Sequence, residues 1–300
     1  MKKRVPFIAL MLAGLLSASI PTAGAHVSPD PTRIVDPAET PDCEEFVPES
    51  YTLPGSDDGK KVSLDVYVLL DFKEGSEVAA HQREAELSGD RKMARKARRE
   101  FKSLVARAEE SLGKAPTSYE PLGIKLNFKK WDLLQPLESD GSARDRTADS
   151  QSIIDLSKEQ FGGTRPRGFD VVYVLTDLDM TAPDIGNAVA GQADCIGGVR
   201  YDQHAFAVGE IPSYENLEAG PLTFYYAATS KIAAHEIGHL MGAHHHYQDC
   251  VEGIPTELDQ GEVSPCTLMT NAVDFQSLNF SILEGAVVRG HALDFAAAND

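Results

Sequence analysis

The chain has 300 residues, of which 42% are apolar and 25% charged, and it carries a net charge of −18 at neutral pH. This length and balance fit a globular protein of one large domain or two small ones, and they exclude an intrinsically disordered chain. Strong acidity argues against nucleic acid or an anionic membrane as a partner, but it names no substrate, since solubility alone explains it.

The first 25 residues are predicted to be a signal peptide. Three basic residues at positions 2–4 precede an apolar stretch at 5–16, and small residues at 23–25 form a cleavage site. The apolar stretch is short for a membrane span, and no other stretch approaches about 20 apolar residues. We therefore expect cleavage after Ala25 and a secreted product without a membrane anchor. Losing three basic residues and no acidic ones changes the net charge from −18 to about −21.

Residues 26–60 are rich in Pro, Asp, Glu and Gly and carry no periodic apolar pattern, which predicts an extended leader or a short pro-segment. Regular structure is predicted to start at Lys61, with an alternating apolar strand at 62–70 and a long helix at 77–112 that turns near residues 88–90. Eight basic residues between Arg91 and Arg107 could attract an acidic partner, although a solvated helix face is the simpler interpretation.

The remaining predicted elements alternate at first and then become irregular. They are a strand at 123–131, a helix at 150–161, a strand at 169–175, an edge strand within the Gly-rich segment 186–209, and helices at 224–241 and 279–298. The continuous apolar run of the third strand is typical of a buried central position. This order predicts an α/β (α+β) fold with a mixed sheet, and no linker divides residues 61–300.

The helix at 224–241 ends in the most informative motif of the chain, H-E-x-x-H-x-x-G-x-x-H, which starts at His235. At 3.6 residues per turn, His235 and His239 lie on one face and Glu236 flanks the same side. Gly242 can adopt the left-handed conformation, end the helix and bring back His245 as a third imidazole. His245 is the middle of three consecutive histidines, and the spacing from the glycine favours it over its neighbours. Three protein ligands and an open position suit a hydrolytic zinc site.

This extended motif resembles that of the metzincin metalloproteases, which also have a methionine-bearing turn downstream. Cys266-Thr267-Leu268-Met269-Thr270 fits that turn. Residues 118–126 and 193–199 look like the second strand and the edge strand of the adamalysin, or reprolysin, branch. His246 stands where adamalysins usually have Asp, so the chain looks like a secreted, bacterial-type relative of that branch.

The resemblance implies a five-stranded, mostly parallel, twisted sheet with long helices and a cleft above one catalytic Zn²⁺. It also implies a small irregular C-terminal subdomain at about residues 246–300. By position it implies that the metal ligands are His235, His239 and His245, that Glu236 is the general base, and that Met269 is an apolar floor beneath the imidazoles.

These features predict a secreted zinc endopeptidase that acts as a monomer on a protein or peptide substrate. Zinc held by three neutral imidazoles activates water, and Glu236 can take the proton as the water attacks a peptide carbonyl. Two alternatives are a catalytically silent zinc-binding interaction protein and a zinc hydrolase of a non-peptide amide or ester. The presence of Glu236 argues against the silent protein, while only the family resemblance argues against the second alternative.

Four cysteines in an exported chain suggest two disulfides, with three possible connectivities. We favour Cys250–Cys266, which would close the loop after the third histidine and would stabilise the fold by roughly 3 kcal/mol. Cys43–Cys195 would then tie the leader to the domain. As an alternative, a Cys43 thiolate could cap the zinc in a latent form.

A calcium site is a further hypothesis from the resemblance to adamalysins. Asp65, Asp177 and Asp179 lie in or near predicted strands and could contribute carboxylate ligands to Ca²⁺. Aspartates at strand ends also commonly just terminate strands.

Overall fold

The computed structural model describes residues 41–43, 60–135, 145–182, 188–211, 222–245, 250–251, 264–270 and 278–296. The predicted signal peptide, most of the predicted leader and His246 lie outside these residues. The strands are β1 (Val62–Asp71), β2 (Ile124–Leu133), β3 (Val171–Thr176), β4 (Met180–Thr181), β5 (Ala188–Val189), β6 (Gly191–Ala193), β7 (Phe206–Glu210), β8 (Cys250–Val251) and β9 (Ser264–Pro265). The α-helices are α1 (Lys73–Ser88), α2 (Arg91–Leu112), α3 (Ala115–Tyr119), α4 (Ser150–Gln160), α5 (Leu222–Leu240) and α6 (Ile282–His291).

The central sheet has five strands in the order β2-β1-β3-β7-β6. The first four are parallel, and β6 runs antiparallel to β7 with Gly191 opposite Gly209. This confirms the predicted five-stranded, mostly parallel α/β sheet. β3 is a central strand with every residue buried, as its continuous apolar run predicts.

The two faces of the sheet bury different helices because side chains alternate along each strand. One face packs against α2 and α5, with Leu64, Tyr173 and Ile237 in the shared core. The other face packs against α4, where Ile153 and Val172 meet. Helix α5 is therefore held along the sheet, which fixes the position of the histidine motif.

The predicted long helix is a helical hairpin of α1 and α2. Gly89 ends α1 in the left-handed conformation at φ 67°, and Asp90 caps α2 by accepting hydrogen bonds from the backbone N–H groups of Lys92 and Met93. Helix α1 begins at Lys73, four residues before the predicted start. Its N-cap residue, Phe72, makes no side-chain cap, and the N–H of Lys73 donates instead to the carboxylate of Asp177, which is distant in sequence, so the sequence carried no local start signal there.

A disulfide attaches the segment at residues 41–43 to the chain just after β6. Cys43 and Cys195 are bonded with their Cα atoms 5.2 Å apart. Asp42 pairs in parallel with Ile196, whose N–H donates to Pro41 O at 2.9 Å and whose carbonyl accepts from Cys43 N at 3.1 Å. The alternative of a Cys43 thiolate that caps zinc is therefore wrong for this disulfide-bonded form.

The other cysteine pair is described in part. Cys266 is disulfide-bonded. The side chain of Cys250 lies outside the described residues, so the Cys250–Cys266 pairing stays a prediction.

The expectation of a calcium site is not supported, because its aspartates do not come together. Asp65 pairs with Lys129 and accepts from the side-chain amide of Asn127, beside the start of β3. Asp177 follows the end of β3, where it pairs with Arg146. The six residues of β3 separate the two positions by roughly 20 Å.

Among the described residues, none of the helices combines the length and apolarity needed to span a bilayer.

Candidate metal centre

Helix α5 presents two different sides to the protein. Ala233, Ile237 and Leu240 are fully buried in the core shared with the sheet. His235 and His239 lie on another side and are also fully buried. The helix is therefore apolar enough to be enclosed, and its imidazoles are held in a region from which most water is excluded.

Three imidazoles converge on one point. The side chains of His235, His239 and His245 offer ligand nitrogens that all lie within 4.8 Å of one another. The Nε2 atoms of His235 and His239 are 3.0 Å apart. The structure thus brings together the three histidines of the motif, and of the two described residues in the histidine row it is His245, not His244, that joins the cluster.

Backbone carbonyls orient two of the rings. Nδ1 of His235 donates to Leu268 O at 2.8 Å, and Nδ1 of His239 donates to Ala243 O at 2.7 Å. Because each Nδ1 carries the hydrogen, each Nε2 keeps its lone pair for the common point. Burial, aided by the neighbouring imidazoles, lowers the pKa of His235 well below its usual range. Neutral imidazole is the form that binds metal.

The turn after α5 requires glycine at one position. Gly242 has φ 87°, and its N–H donates to His239 O at 2.8 Å, while Ala243 N donates to Gly238 O at 3.0 Å. A Cβ on Gly242 would lie 2.7 Å from Nδ1 of His291 in α6. Both the conformation and the close approach exclude larger residues, so the chain can reverse and return His245.

Met269 lies against the same helix. It is fully buried, and its sulfur would be 3.0 Å from a Cβ placed on Gly238, between the first two histidines. The preceding residue, Leu268, supplies the carbonyl that orients His235. Met269 therefore contacts α5 between the first two histidines, and its role as an apolar floor beneath the imidazoles stays a prediction.

Two threonines that the sequence reasoning did not single out hold this turn. The N–H of Thr267 donates to Oγ1 of Thr270, and the N–H of Met269 donates to Oγ1 of Thr267, each at 3.1 Å. Oγ1 of Thr267 also donates to Glu284 of α6 at 3.0 Å. Hydroxyl residues on either side of the methionine were the available signal, since Ser and Thr favour local side chain–backbone bonds.

Glu236 is buried between α5 and the edge strand β6. A Cβ on Gly191 would overlap Oε1 of Glu236 and would lie 2.7 Å from its Cγ. Only glycine leaves room for the carboxylate at this point of β6. The sequence predicted an edge strand within a Gly-rich segment, but it did not predict that one glycine would contact the glutamate.

Two neutral phenols lie within the electrostatic reach of Glu236. Burial raises the pKa of Tyr173 well above its usual range, and the charges of Glu236 and Glu210 raise it further. Burial and Glu236 have the same effect on Tyr119, whose hydroxyl donates to Ala234 O at 2.8 Å. Both tyrosines therefore stay uncharged at neutral pH.

A second group of metal-ligand side chains occurs among the described residues, formed by Asp194, Cys195 and His204. The sulfur of Cys195 is committed to its disulfide. The carboxylate of Asp194 pairs with Lys158 and with His204, each at 2.5 Å. These groups satisfy one another, so the three-histidine cluster is the candidate metal centre.

The donor set of this centre fits zinc. Three neutral nitrogens that leave room for a fourth ligand are typical of catalytic zinc sites. Hard cations such as Ca²⁺ prefer oxygen ligands, and the three imidazoles offer only nitrogen.

Residues 105–246 match the family model of the metallo-peptidase family M12B, reprolysin-like. The match covers slightly less than half of the chain and includes the whole histidine motif. A comparison of the sequence with curated proteins finds no significant match.

Two solved structures are similar in fold. The archaemetzincin of Methanopyrus kandleri is 19% identical, with 79% of this chain and 98% of that chain covered and a TM-score of 0.38. The archaemetzincin of Archaeoglobus fulgidus, solved with malonate, is 14% identical, with 75% and 99% covered and a TM-score of 0.38. These likenesses are too distant to support an argument about activity. The family match and the three-histidine centre on α5 both support a metzincin-like zinc metallopeptidase.

Proposed function

We propose that the protein is a secreted zinc endopeptidase in which His235, His239 and His245 hold the metal and Glu236 is the general base. The observation that carries this proposal is the convergence of three oriented imidazoles within 4.8 Å on the helix that also bears Glu236. When bound, zinc supplies Lewis-acid polarisation of the peptide carbonyl and activation of water.

Glu236 performs the proton transfers in this proposal. Its carboxylate accepts a proton from the water whose oxygen bonds to the peptide carbon, and it then delivers that proton to the nitrogen as the C–N bond breaks. Burial between α5 and Gly191 restricts the carboxylate to a narrow space, which favours a fixed orientation.

The edge strand suits an extended polypeptide. β6 pairs with β7 on one side and is the last strand of the five-stranded sheet. Its other side can pair with a substrate main chain, which would place a peptide bond beside Glu236 without demanding particular side chains.

Secretion and domain limits complete the proposal. The Cys43–Cys195 disulfide suits an oxidising compartment. We propose cleavage after Ala25, a leader at residues 26–60 and one catalytic domain at 61–300, whose subdomain from about residue 246 contributes Met269.

The decisive experiment compares wild type and Glu236→Ala, both starting at residue 26, on an unstructured protein substrate. We expect wild type to cleave it, a chelator to abolish cleavage, and Glu236→Ala to lose activity by about 10²-fold or more, because the water loses its base. Rates are measured by the appearance of new peptide amino groups.

Zinc stoichiometry separates loss of the base from loss of the metal. Glu236→Ala should keep its zinc, and His245→Ala should lose it. His244→Ala is the matched control, because His244 is exposed and pairs with Asp42 at 3.3 Å. Cleavage that persists with chelator would exclude the zinc mechanism. Zinc-loaded wild type that cleaves no peptide would favour the silent protein, or the non-peptide hydrolase if it cleaves simple esters or amides.

A further inference from the structure

Six basic residues of α2 form an exposed group that we call the basic stripe. Its members are Arg91, Lys92, Arg95, Arg98, Arg99 and Lys102. All six are exposed, and none of their side chains has an ion pair or a hydrogen bond with another described residue. Within the part of the chain that the structure describes, these charges therefore have no pairing partner.

The helix gathers these cations on one side. At 100° per residue, the six positions fall within an arc of about 120°, and they extend over about 17 Å of helix. The buried residues Ala97, Leu104 and Ala108 lie on the opposite side, against α1 and the core. The basic stripe is thus a continuous linear surface rather than a scatter of charges around the helix.

On the neighbouring side of the same hairpin, charged side chains form ion pairs. Glu100 accepts from His81 of α1 at 2.8 Å and lies 3.8 Å from Lys96. Arg107 lies 3.9 Å from Glu74 of α1. The hairpin pairs the cations that face α1 and leaves those of the basic stripe to solvent.

The surroundings make this positive surface unusual for the chain. The net charge is −18, so the residues outside the basic stripe carry −24, that is −18 minus six positive charges. A partner attracted to the basic stripe is repelled by much of the remaining surface. This contrast favours a partner segment that is acidic over a short length.

The hairpin of α1 and α2 begins at the same end of the sheet as Gly191, beside which Glu236 lies. Helix α1 starts at Lys73, directly after β1, and Leu70 near the end of β1 lies level with Leu175 of β3. Gly191, which contacts Glu236, lies at the same level through β7. β1 and β6 are three strand positions apart, or about 14 Å, and the basic stripe begins about 8 Å further along the hairpin, because Arg107 is level with Glu74 near the start of α1. One extended polypeptide can span both the cleft and the hairpin.

We propose that the basic stripe docks an acidic segment of the polypeptide substrate outside the cleft, an inference that rests on the proposed endopeptidase function. About five extended residues match its length. A membrane is a poorer occupant, because the apolar side of α2 is buried and cannot enter a bilayer. Nucleic acid is also a poorer occupant, because its phosphates would extend beyond the basic stripe and lie against the negatively charged remainder of the protein.

The binding test uses the protein from residue 26 carrying Glu236→Ala, so that no probe is cleaved. The probes are a labelled peptide of alternating Glu and Ser and its twin with Gln in place of Glu. We expect at least about tenfold tighter binding of the Glu peptide, a preference that weakens with salt. A variant with four glutamines in the basic stripe should lose the preference, while the helix propensity of α2 is kept. Its substitutions are Arg91→Gln, Arg95→Gln, Arg98→Gln and Lys102→Gln.

The matched control removes the same charge elsewhere. The control variant replaces four exposed cations outside the hairpin and should keep the preference. Its substitutions are Lys61→Gln, Lys125→Gln, Lys130→Gln and Arg167→Gln. Equal binding of the two peptides, or an equal loss in the control, would overturn the proposal. Tighter binding of a DNA oligomer or of phosphatidylserine vesicles through the basic stripe would also overturn it.

The cleavage test keeps Glu236 and compares one substrate with and without an acidic tag. The four basic-stripe substitutions should raise KM about tenfold for the tagged substrate and leave kcat unchanged. An unchanged KM would contradict docking during cleavage. Acid-selective binding without any cleavage would instead refute the endopeptidase function and leave the docking surface in place, so the two failures are distinguishable.

Discussion

The carboxylate of Glu236 and the backbone of Gly191 occupy adjacent space at the edge of the sheet. A side chain at position 191 would meet Cγ and Cδ of Glu236 at 2.7 and 2.8 Å, which is closer than carbon atoms approach in folded proteins. Gly191 has no chemical group of its own for catalysis. It is a positioning residue, because its small size determines where the candidate base can lie.

Gly191→Ala should therefore lower kcat by about 10²-fold while zinc stoichiometry stays unchanged, since a shift of the base by about 1 Å is enough for such a loss. Gly75→Ala is the control, because the nearest atoms to its added methyl lie at 3.4 and 4.0 Å, an ordinary contact. Wild-type kcat in Gly191→Ala would show that Glu236 does not depend on this contact.

At the same scale, the sequence could predict residues whose positions are related by helix periodicity. His235, His239 and Glu236 are neighbours on one helix, so their spacing determines their geometry. Gly191 and Thr267 could not be predicted in the same way. Each contacts the site through tertiary packing, and no local sequence pattern indicates which distant residue a glycine or a hydroxyl group will contact.

Elements with strong local signals were predicted well. β1 was expected at 62–70 and is found at Val62–Asp71, because its alternation is clear. The turn between α1 and α2 was expected from residues 88–90, where Gly89 and Asp90 supply the two caps. The two-residue strands β4, β5, β8 and β9 were not predicted, since a pair of residues has no periodicity.

Helix α6 shows how a cap determines an element boundary. Its start was predicted at residue 279, and the structure places it after Ser281. Ser281 Oγ accepts from Glu284 N at 3.2 Å, and the Glu284 carboxylate accepts from Ser281 N at 2.7 Å. This capping box fixes the helix that brings His291 against Gly242.

Ser281→Ala should reduce the free energy of unfolding by about 1 kcal/mol, because one N–H of the first turn loses its acceptor. Chemical denaturation measures this change. Ser281→Thr keeps the hydroxyl and is the control, with an expected loss well below that of alanine. Equal losses in both variants would mean that crowding at position 281, rather than the cap, determines the effect.

At the scale of the whole molecule, buried histidines link folding to pH. Burial, with a smaller effect of Arg200, lowers the pKa of His291. Below about pH 6.5 the unfolded chain therefore takes up a proton that the folded chain does not yet bind. The unfolded state binds more protons, so the free energy of unfolding falls as the pH decreases.

His291→Gln should remove this contribution. As the pH falls below about 6.5, the free energy of unfolding of wild type should decrease more steeply than that of the variant, by up to roughly 1.4 kcal/mol per pH unit. Denaturation at several pH values compares the two slopes. Parallel slopes would show that His291 has the same pKa in the folded and unfolded chains.

The bond between Cys43 and Cys195 also determines the effect of a cut in the predicted leader. The two cysteines are 152 positions apart, and Cys43 precedes the first strand of the domain. A nick anywhere between Cys43 and Val62 would break the polypeptide without releasing the piece in front of it, because the sulfur bridge still holds both fragments. Such a nicked protein would migrate as one species on a non-reducing gel and as two after reduction. Release of the leader would therefore need either a cut after Cys43 followed by reduction, or a cut before Cys43 that frees only the preceding residues.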